Sequence, residues 1–193
     1  MKNIANFLFE IGMLKRTPRT GFQFLGSGAE SVAEHSFRTA MIGYTLAQLD
    51  GKADIGRVLQ LCLFHDIPEA RTGDLNYVNK KYVIADEKKA VEDLAKQLPF
   101  GDDYRKTIYE FIDHETPEAL LAHDADQLEM VLSLKEHKDL GNRNADEWYP
   151  FSKLRLKTEV AKELADTIWE TDSSKWWFDD DHNWWVHGKA SKP

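Results

Sequence analysis

Apolar residues recur at three- and four-residue steps along most of this 193-residue chain, the spacing of one face of an α-helix. Ile4, Phe7, Leu8, Ile11 and Leu14 form the first stripe, and Ala33, Phe37, Ala40, Met41, Tyr44 and Ala47 the second. Ser31 stands three residues ahead of Glu34, the capping-box pattern, so a helix starts near 31, and Gly51 follows its expected end. Segment 57–65 (RVLQLCLFH) is nearly continuous in apolar residues and alone fits a buried strand. Ile55 and the residues past Asp66 carry the run beyond ordinary strand length, which favours a buried helix. Further helices are predicted over about 84–98, 102–114, 117–139 and 152–171, the last with Leu156, Val160, Leu164 and Ile168 in one stripe. Only Gly21 to Leu25 looks locally extended, and segment 71–83 (RTGDLNYVNKKYV) looks like a polar loop. No internal repeat, low-complexity tract or domain linker interrupts the pattern. The predicted fold is a single all-α domain, a compact bundle of roughly six to eight helices.

Charge narrows what such a bundle does. The 25 Lys+Arg against 33 Asp+Glu give a net charge of −8, which disfavours a protein that grips long nucleic acid but leaves room for a local anion site. The single Cys62 forms no internal disulfide and reads as a small apolar core residue. The apolar start, Ile4 to Leu14, is too short for a membrane span, contains Asn6, Glu10 and Gly12, and lacks a small-residue cleavage site before Lys15-Arg16. The expectation is a soluble, cytoplasmic protein without a membrane partner. Near the end, Trp176, Trp177, Trp184 and Trp185 are four of the six Trp residues; they are expected to pack back on the core or on a neighbouring subunit.

His65-Asp66 is the feature that needs a chemical explanation. It places two polar, metal-competent groups in an otherwise apolar stretch, where burial costs several kcal/mol unless they are satisfied. A buried His bonded to a carboxylate and a metal ligand pair both explain the dipeptide. His35, in the first turns of the helix after Ser31, and Asp126, in Ala122-His123-Asp124-Ala125-Asp126-Gln127-Leu128-Glu129, bring the set to two imidazoles and two carboxylates. Mixed N/O donors of this kind suit Mn²⁺, Fe²⁺, Co²⁺, Zn²⁺ or Ni²⁺, with Mg²⁺ where oxygen ligands and waters dominate. Thirty residues separate His35 from His65, and sixty separate Asp66 from Asp126, consistent with three helices converging on one ion.

The order H…HD…D, in the settings VAEHSF, LFHDIPEARTGDL and HDADQLE, resembles the HD-domain metal-dependent phosphohydrolases. HDIPEARTGDL together with LKRTPRTGF is similar to the 5′-deoxynucleotidase branch of that superfamily. The resemblance covers about 14–170, so the chain divides into a phosphohydrolase domain, 1–170, and a Trp-rich tail, 171–193. It implies an all-helical fold with His35, His65, Asp66 and Asp126 as ligands of one divalent ion, Mn²⁺, Co²⁺ or Mg²⁺ first among the candidates. It also lifts three residues out of ordinary roles: Glu69 from a solvated helix carboxylate and Asp74 from a turn residue to catalytic groups, and Arg19 from a surface-loop arginine to the phosphate ligand. Asp124 is then an outer partner or surface group, and His123, one turn before Asp126, a candidate outer partner. Phe22 departs from the pattern, standing where relatives often carry Trp after Arg-Thr-Gly.

The implied activity is hydrolysis of (deoxy)ribonucleoside 5′-monophosphates to nucleoside and phosphate, with a homodimer as the expected assembly. A phosphodiesterase or a nucleoside triphosphate hydrolase of the same superfamily would need more basic groups than Arg19, Arg71, Lys80 and Lys81. A non-catalytic nucleotide-binding protein would have no need of all six of His35, His65, Asp66, Asp126, Glu69 and Asp74.

Overall fold

The apolar stripes become helices in the computed structural model, which describes residues 1–178 and 182–188. In chain order these are α1 (Lys2–Ile11), α2 (Phe22–Leu25), α3 (Val32–Asp50), α4 (Ile55–Phe64), α5 (Glu69–Thr72) and α6 (Glu87–Ala95). There follow α7 (Gly101–Asp113), α8 (Pro117–Asp139), α9 (Arg143–Lys153), α10 (Glu159–Glu170) and α11 (His182–His187). Eight of them run nine residues or more, and no strand occurs among the described residues, so the all-α expectation holds.

Local chemistry sets the helix ends. Ser31 Oγ accepts from Glu34 N while Glu34 accepts from Ser31 N, closing the capping box at α3, and Gly51 ends that helix at φ 71°. Asp54 caps α4 through Arg57 N, and Thr116 caps α8 ahead of Pro117 in its first turn. The core lies where α3, α4 and α8 meet: Leu46, Val58, Leu61, Ala122, Ala125 and Leu128 have no exposed surface. A Cβ added at Gly43 would lie 2.5 Å from Cys62 Sγ, so this glycine lets α3 and α4 come close enough to share a site. Helix α10 covers the same core with Ala161 and Ala165, flanked by Val160, Leu164 and Ile168. A second apolar cluster, with Phe7, Val32, Ile67, Val91, Leu94 and Tyr104, packs α1, α6 and α7 against the other end of α3.

Two expectations need correction. Segment 152–171 is not one helix. The chain turns between Lys153 and Glu159, because Asp124 on α8 accepts from Lys157 N (2.8 Å) and Thr158 N (2.7 Å), and Thr158 caps a fresh helix through Ala161 N. Leu156 stays in the core from within that turn. Helix α9 precedes it, begun by Asn142 and holding Ala145 and Ser152 inward despite an internal Pro150. Residues 21–25 are not extended either: Phe22 and Leu25, three apart, both pack on Leu134 and Ala145, which selects a helical turn. Extended pairing falls just before it, where Arg19 N donates to Glu30 O (2.8 Å) and Val32 N to Thr17 O (2.9 Å) around an isolated antiparallel bridge of Pro18 with Ser31.

Pro68 immediately precedes α5 and so starts a new helix rather than bending an old one. Segment 73–83 is a loop with one 3-10 turn at Asn79–Lys81. In the tail, Trp177 and Phe178 pack with Trp185, with ring centroids 5.1–6.0 Å apart, while Asp179, Asp180 and Asp181 lie outside the described residues. No helix among the described residues is long and apolar enough to cross a membrane.

Candidate metal centre

Three parts of the fold deliver one side chain or a pair each. His35 projects from the first turn of α3, whose start is fixed by the capping box and by the bridge to Pro18. His65 closes α4, and Asp66 sits in the tight turn that joins α4 to α5, with Glu69 N donating to Asp66 O (3.0 Å). Asp126 comes from the middle of α8. Their ligand atoms converge. His35 Nε2 lies 3.1 Å from Asp126 Oδ1 and 3.5 Å from Asp66 Oδ2, and His65 Nε2 lies 3.2 Å from Asp66 Oδ2 and 3.9 Å from Asp126 Oδ1.

The outer ring nitrogens say which way the imidazoles are wired. His65 Nδ1 faces Cys62 O at 2.8 Å, and a carbonyl only accepts, so Nδ1 carries the proton and Nε2 presents a lone pair. His35 Nδ1 meets Glu129 Oε2 at 2.8 Å in the same sense. His65 Nε2 and Asp66 Oδ2 are both buried without a hydrogen-bond partner. His35, His65 and Asp126 bring their ligand atoms close enough together to hold a divalent cation, and Asp66 Oδ2 lies 3.2–3.5 Å from both imidazole nitrogens, with orphaned atoms among them.

Charge leads to the same place. Asp66, Asp126 and Glu129 are all buried or nearly so, with Glu69 and Asp74 beside them, against Arg19 and Arg38. The protein alone relieves this excess with protons. Burial and Arg19 oppose a charge on His35, but hydrogen bonds to Asp126 and Glu129 outweigh them and raise its pKa to about 10. Burial likewise works against charge on Asp126 and Asp66. His35 and His65 overcome it for both, as does Arg19, and hold both carboxyls below the usual range. Glu129 falls to about 2 against its own burial, through His35 and Arg38. Glu69 goes the other way: burial, then Asp66 and Asp74, push it up to about 9, and its Oε2 is buried without a partner.

Arg19 and Asp74 come to this place as well. Arg19 Nη1 lies 3.7 Å from Asp66 Oδ2 and 3.8 Å from Asp74 Oδ1. Burial opposes its charge, but Asp66, Asp126 and Asp74 raise its pKa above the usual value, so it stays a fixed cation. Asp74 is half committed: Oδ2 accepts from Thr20 N (2.5 Å) and Thr20 Oγ1 (3.0 Å), pinning the Arg19 loop, while Oδ1 faces the guanidinium. Asp124 is a buried carboxylate that starts α10, and His123 Nδ1 lies 3.2 Å from it, so neither reaches the centre. Phe22 packs into the Leu25–Leu134–Ala145 cluster with its ring 5.6 Å from His137.

The sequence reasoning missed Glu129 and Arg38. Glu129 takes His35 Nδ1 on one oxygen and Arg38 Nε (2.9 Å) and Nη2 (2.5 Å) on the other, and Arg38 also binds Ser133 and Glu136. The signal was in the spacing: Glu129 follows Asp126 by three and Arg38 follows His35 by three, so each shares a helix face with a ligand.

The sequence profile of the HD domain matches residues 11–169 of this chain. The chain belongs to the HD domain family. Among curated HD relatives, 5′-deoxynucleotidase HDDC2 of Xenopus laevis is 30% identical over 183 residues, covering 90% of this chain and 89% of that protein. A 5′-deoxynucleotidase of Citrobacter koseri is 30% identical over 154 residues, with 72% and 74% covered. Among solved structures, the PH0347 protein from Pyrococcus horikoshii is 28% identical with a TM-score of 0.71, covering 86% of this chain and 98% of that one. One described as a predicted metal-dependent phosphohydrolase from Magnetospirillum magnetotacticum is 26% identical with a TM-score of 0.67, covering 86% and 92%. The four converging side chains stand in the order H…HD…D within the matched region, and the match ends at residue 169, one residue short of the end of α10.

Proposed function

We propose that this protein is a metal-dependent phosphomonoesterase that hydrolyses deoxyribonucleoside 5′-monophosphates to nucleoside and phosphate. The observation that carries the reading is the pairing of orphaned His65 Nε2 and Asp66 Oδ2 with His35 and Asp126, directly beside the buried cation Arg19. The deoxynucleotide class is supported by the names of the relatives. His35, His65, Asp66 and Asp126 would hold one divalent ion, with Mn²⁺, Co²⁺ and Mg²⁺ as first candidates and Zn²⁺, Fe²⁺ and Ni²⁺ behind them. Such an ion would supply Lewis acidity to the phosphate and would acidify the attacking water.

The chain's own groups do the rest. Arg19 neutralises phosphate oxygens, and its place between Asp66 and Asp74 fixes the guanidinium plane before substrate arrives. Asp74 Oδ1, the oxygen not taken by Thr20, receives a proton from the attacking water as its oxygen bonds to phosphorus. Glu69, kept protonated by burial and by its acidic neighbours, gives its proton to the 5′-oxygen as the P–O bond breaks. One fixed arginine suits a single terminal phosphate, which favours the monophosphate over a triphosphate or diester.

The test is phosphate release from a panel of nucleoside mono-, di- and triphosphates and a diester, with Mn²⁺, Co²⁺ or Mg²⁺ and His65→Ala as control. Metal-dependent release from deoxynucleoside monophosphates is expected; release from no monophosphate overturns the reading. We also expect a homodimer. The apolar side chains exposed on α3, Phe37, Met41 and Tyr44, support it, and sedimentation velocity measures it.

A further inference from the structure

The metal centre and Arg19 account for the phosphate end of a nucleotide and leave its base without a partner. The loop after Asp74 supplies one. Asn76 anchors it: its Oδ1 accepts from Val78 N (3.0 Å) and Asn79 N (2.9 Å), and its Nδ2 donates to Thr20 O (3.4 Å), beside Arg19. The next residue, Tyr77, lays its ring over the Arg155 guanidinium, with Cζ 4.5 Å from the ring centroid. Arg155, in the turn between α9 and α10, is tied to the metal centre in two steps. Its Nη1 donates to Gln127 Oε1 (3.2 Å), and Gln127 Nε2 donates to the ligand Asp126 Oδ2 (2.7 Å). The loop therefore runs from the Arg19 side of the centre to the Asp126 side, with an aromatic ring at its far anchor.

That ring is held on one face and open on the other. Tyr77 remains 60% exposed while Arg155 backs it, so its plane is set in advance and a second flat group can stack on it with little ordering cost. Phe22, the aromatic that follows Arg19-Thr20-Gly21, is instead partly buried against the Leu25–Leu134–Ala145 cluster, in an edge contact with His137. We propose that Tyr77, backed by Arg155, is the stacking platform for the purine or pyrimidine base of the substrate. The proposal rests on the nucleotide reading above and adds the residues that tell a nucleotide from other phosphomonoesters.

The experiment compares a deoxynucleoside 5′-monophosphate with 2-deoxyribose 5-phosphate, the same sugar phosphate without a base, on metal-loaded protein. The ratio of their kcat/KM values is the readout. Tyr77→Ala is expected to lower that ratio about 5- to 150-fold, the range for losing one base–aromatic stack, chiefly through KM for the nucleotide. Tyr77→Phe should restore the ratio, and Arg155→Ala should lower it by less than Tyr77→Ala does. A ratio unmoved in Tyr77→Ala overturns the platform, including the case where both substrates fall together because the loop and Asp74 have shifted. Should the wild-type protein release phosphate from neither compound, the hydrolase reading fails by itself. Calorimetric binding of the same two compounds then decides the platform: selective loss of nucleotide affinity in Tyr77→Ala supports it, and equal affinities overturn it.

Discussion

Glu129 shows how a ligand is made by the residue behind it. Its carboxylate holds His35 by Nδ1 and is itself held by Arg38, so the imidazole is oriented with its Nε2 toward Asp126. Glu129→Ala leaves the buried His35 Nδ1–H without its acceptor and Arg38 with Glu136 but without its most buried partner. Calorimetry should show Mn²⁺ affinity reduced about 10- to 100-fold, with a stability loss of about 3 kcal/mol or more. Affinity within about twofold of wild type would sink the idea that Glu129 positions His35. Glu69 gives a pH-dependent prediction for the metal-free protein. Its carboxyl loses its proton near 4.5 in the unfolded chain and near 9 in the fold, so between these values the fold keeps a proton that the unfolded chain has released. Stability therefore falls as pH rises through that window. Glu69→Gln removes the loss, and its Tm in chelator should exceed wild type by a margin that grows from about pH 5 to about pH 9. A margin flat with pH counts against a buried, protonated Glu69. That His35, His65, Asp66, Asp126, Arg19 and Glu69 share one place was foreshadowed by motif order and by the family resemblance. The choice between Asp124 and Asp126 has a structural reason that local sequence lacks. Residues two apart on a helix point about 200° from one another, so one carboxylate of HDAD turns to the metal centre and the other to the start of α10.

Helix α3 and helix α4 hold His35 and His65 at a mutual distance set by their closest approach. Gly43 makes that approach, since a Cβ there meets Cys62 Sγ at 2.5 Å and Val58 Cγ1 at 3.1 Å. Gly43→Ala should lower Tm and weaken metal binding together, by about 1–3 kcal/mol in stability, because the helices must part. Cys62→Ala in the same chain clears the shorter contact and should recover most of both losses. Failure of the double variant to recover either would show that the glycine acts in another way. The helices themselves were legible where their start and stop signals are local, as at Ser31, Gly51 and Pro117. The break at 154–158 was not, because its cause is a carboxylate 33 residues away, Asp124, competing for Lys157 N. Helix α9 was missed for a related reason: Pro150 and a polar start weaken its local signal, and burial of Ala145 against Leu25 and Leu134 supplies what the segment lacks.

At the scale of the whole molecule, the excess of acids in the centre couples metal binding to folding. A cation that binds only the folded chain stabilises it by about 2.7 kcal/mol at 100 times its dissociation constant. For a chain of this size that is a rise in Tm of about 5–10 °C. Thermal melts with Mn²⁺ and with chelator should differ by this order, and His65→Ala should abolish the difference; an unchanged Tm in the wild type counts against the centre. The net charge of −8 takes on a more specific meaning here, since Asp66, Glu69, Asp74 and Asp126, four of the 33 acids, gather beside Arg19 where the proposed cation would sit. The amino-acid sequence by itself determined the all-helical class and the residues with metal chemistry, because a 3.6-residue period, a capping box and a ligand type are properties of short stretches of chain. Only the tertiary structure decided that the imidazoles of His35 and His65 each come within 3.1–3.9 Å of carboxylate oxygens of Asp66 and Asp126, that Glu129 and Arg38 stand behind them, and that Tyr77 keeps an exposed ring backed by Arg155. Separations of 30 and 60 residues contain no distance; the phase of each helix and the close packing at Gly43 supply it.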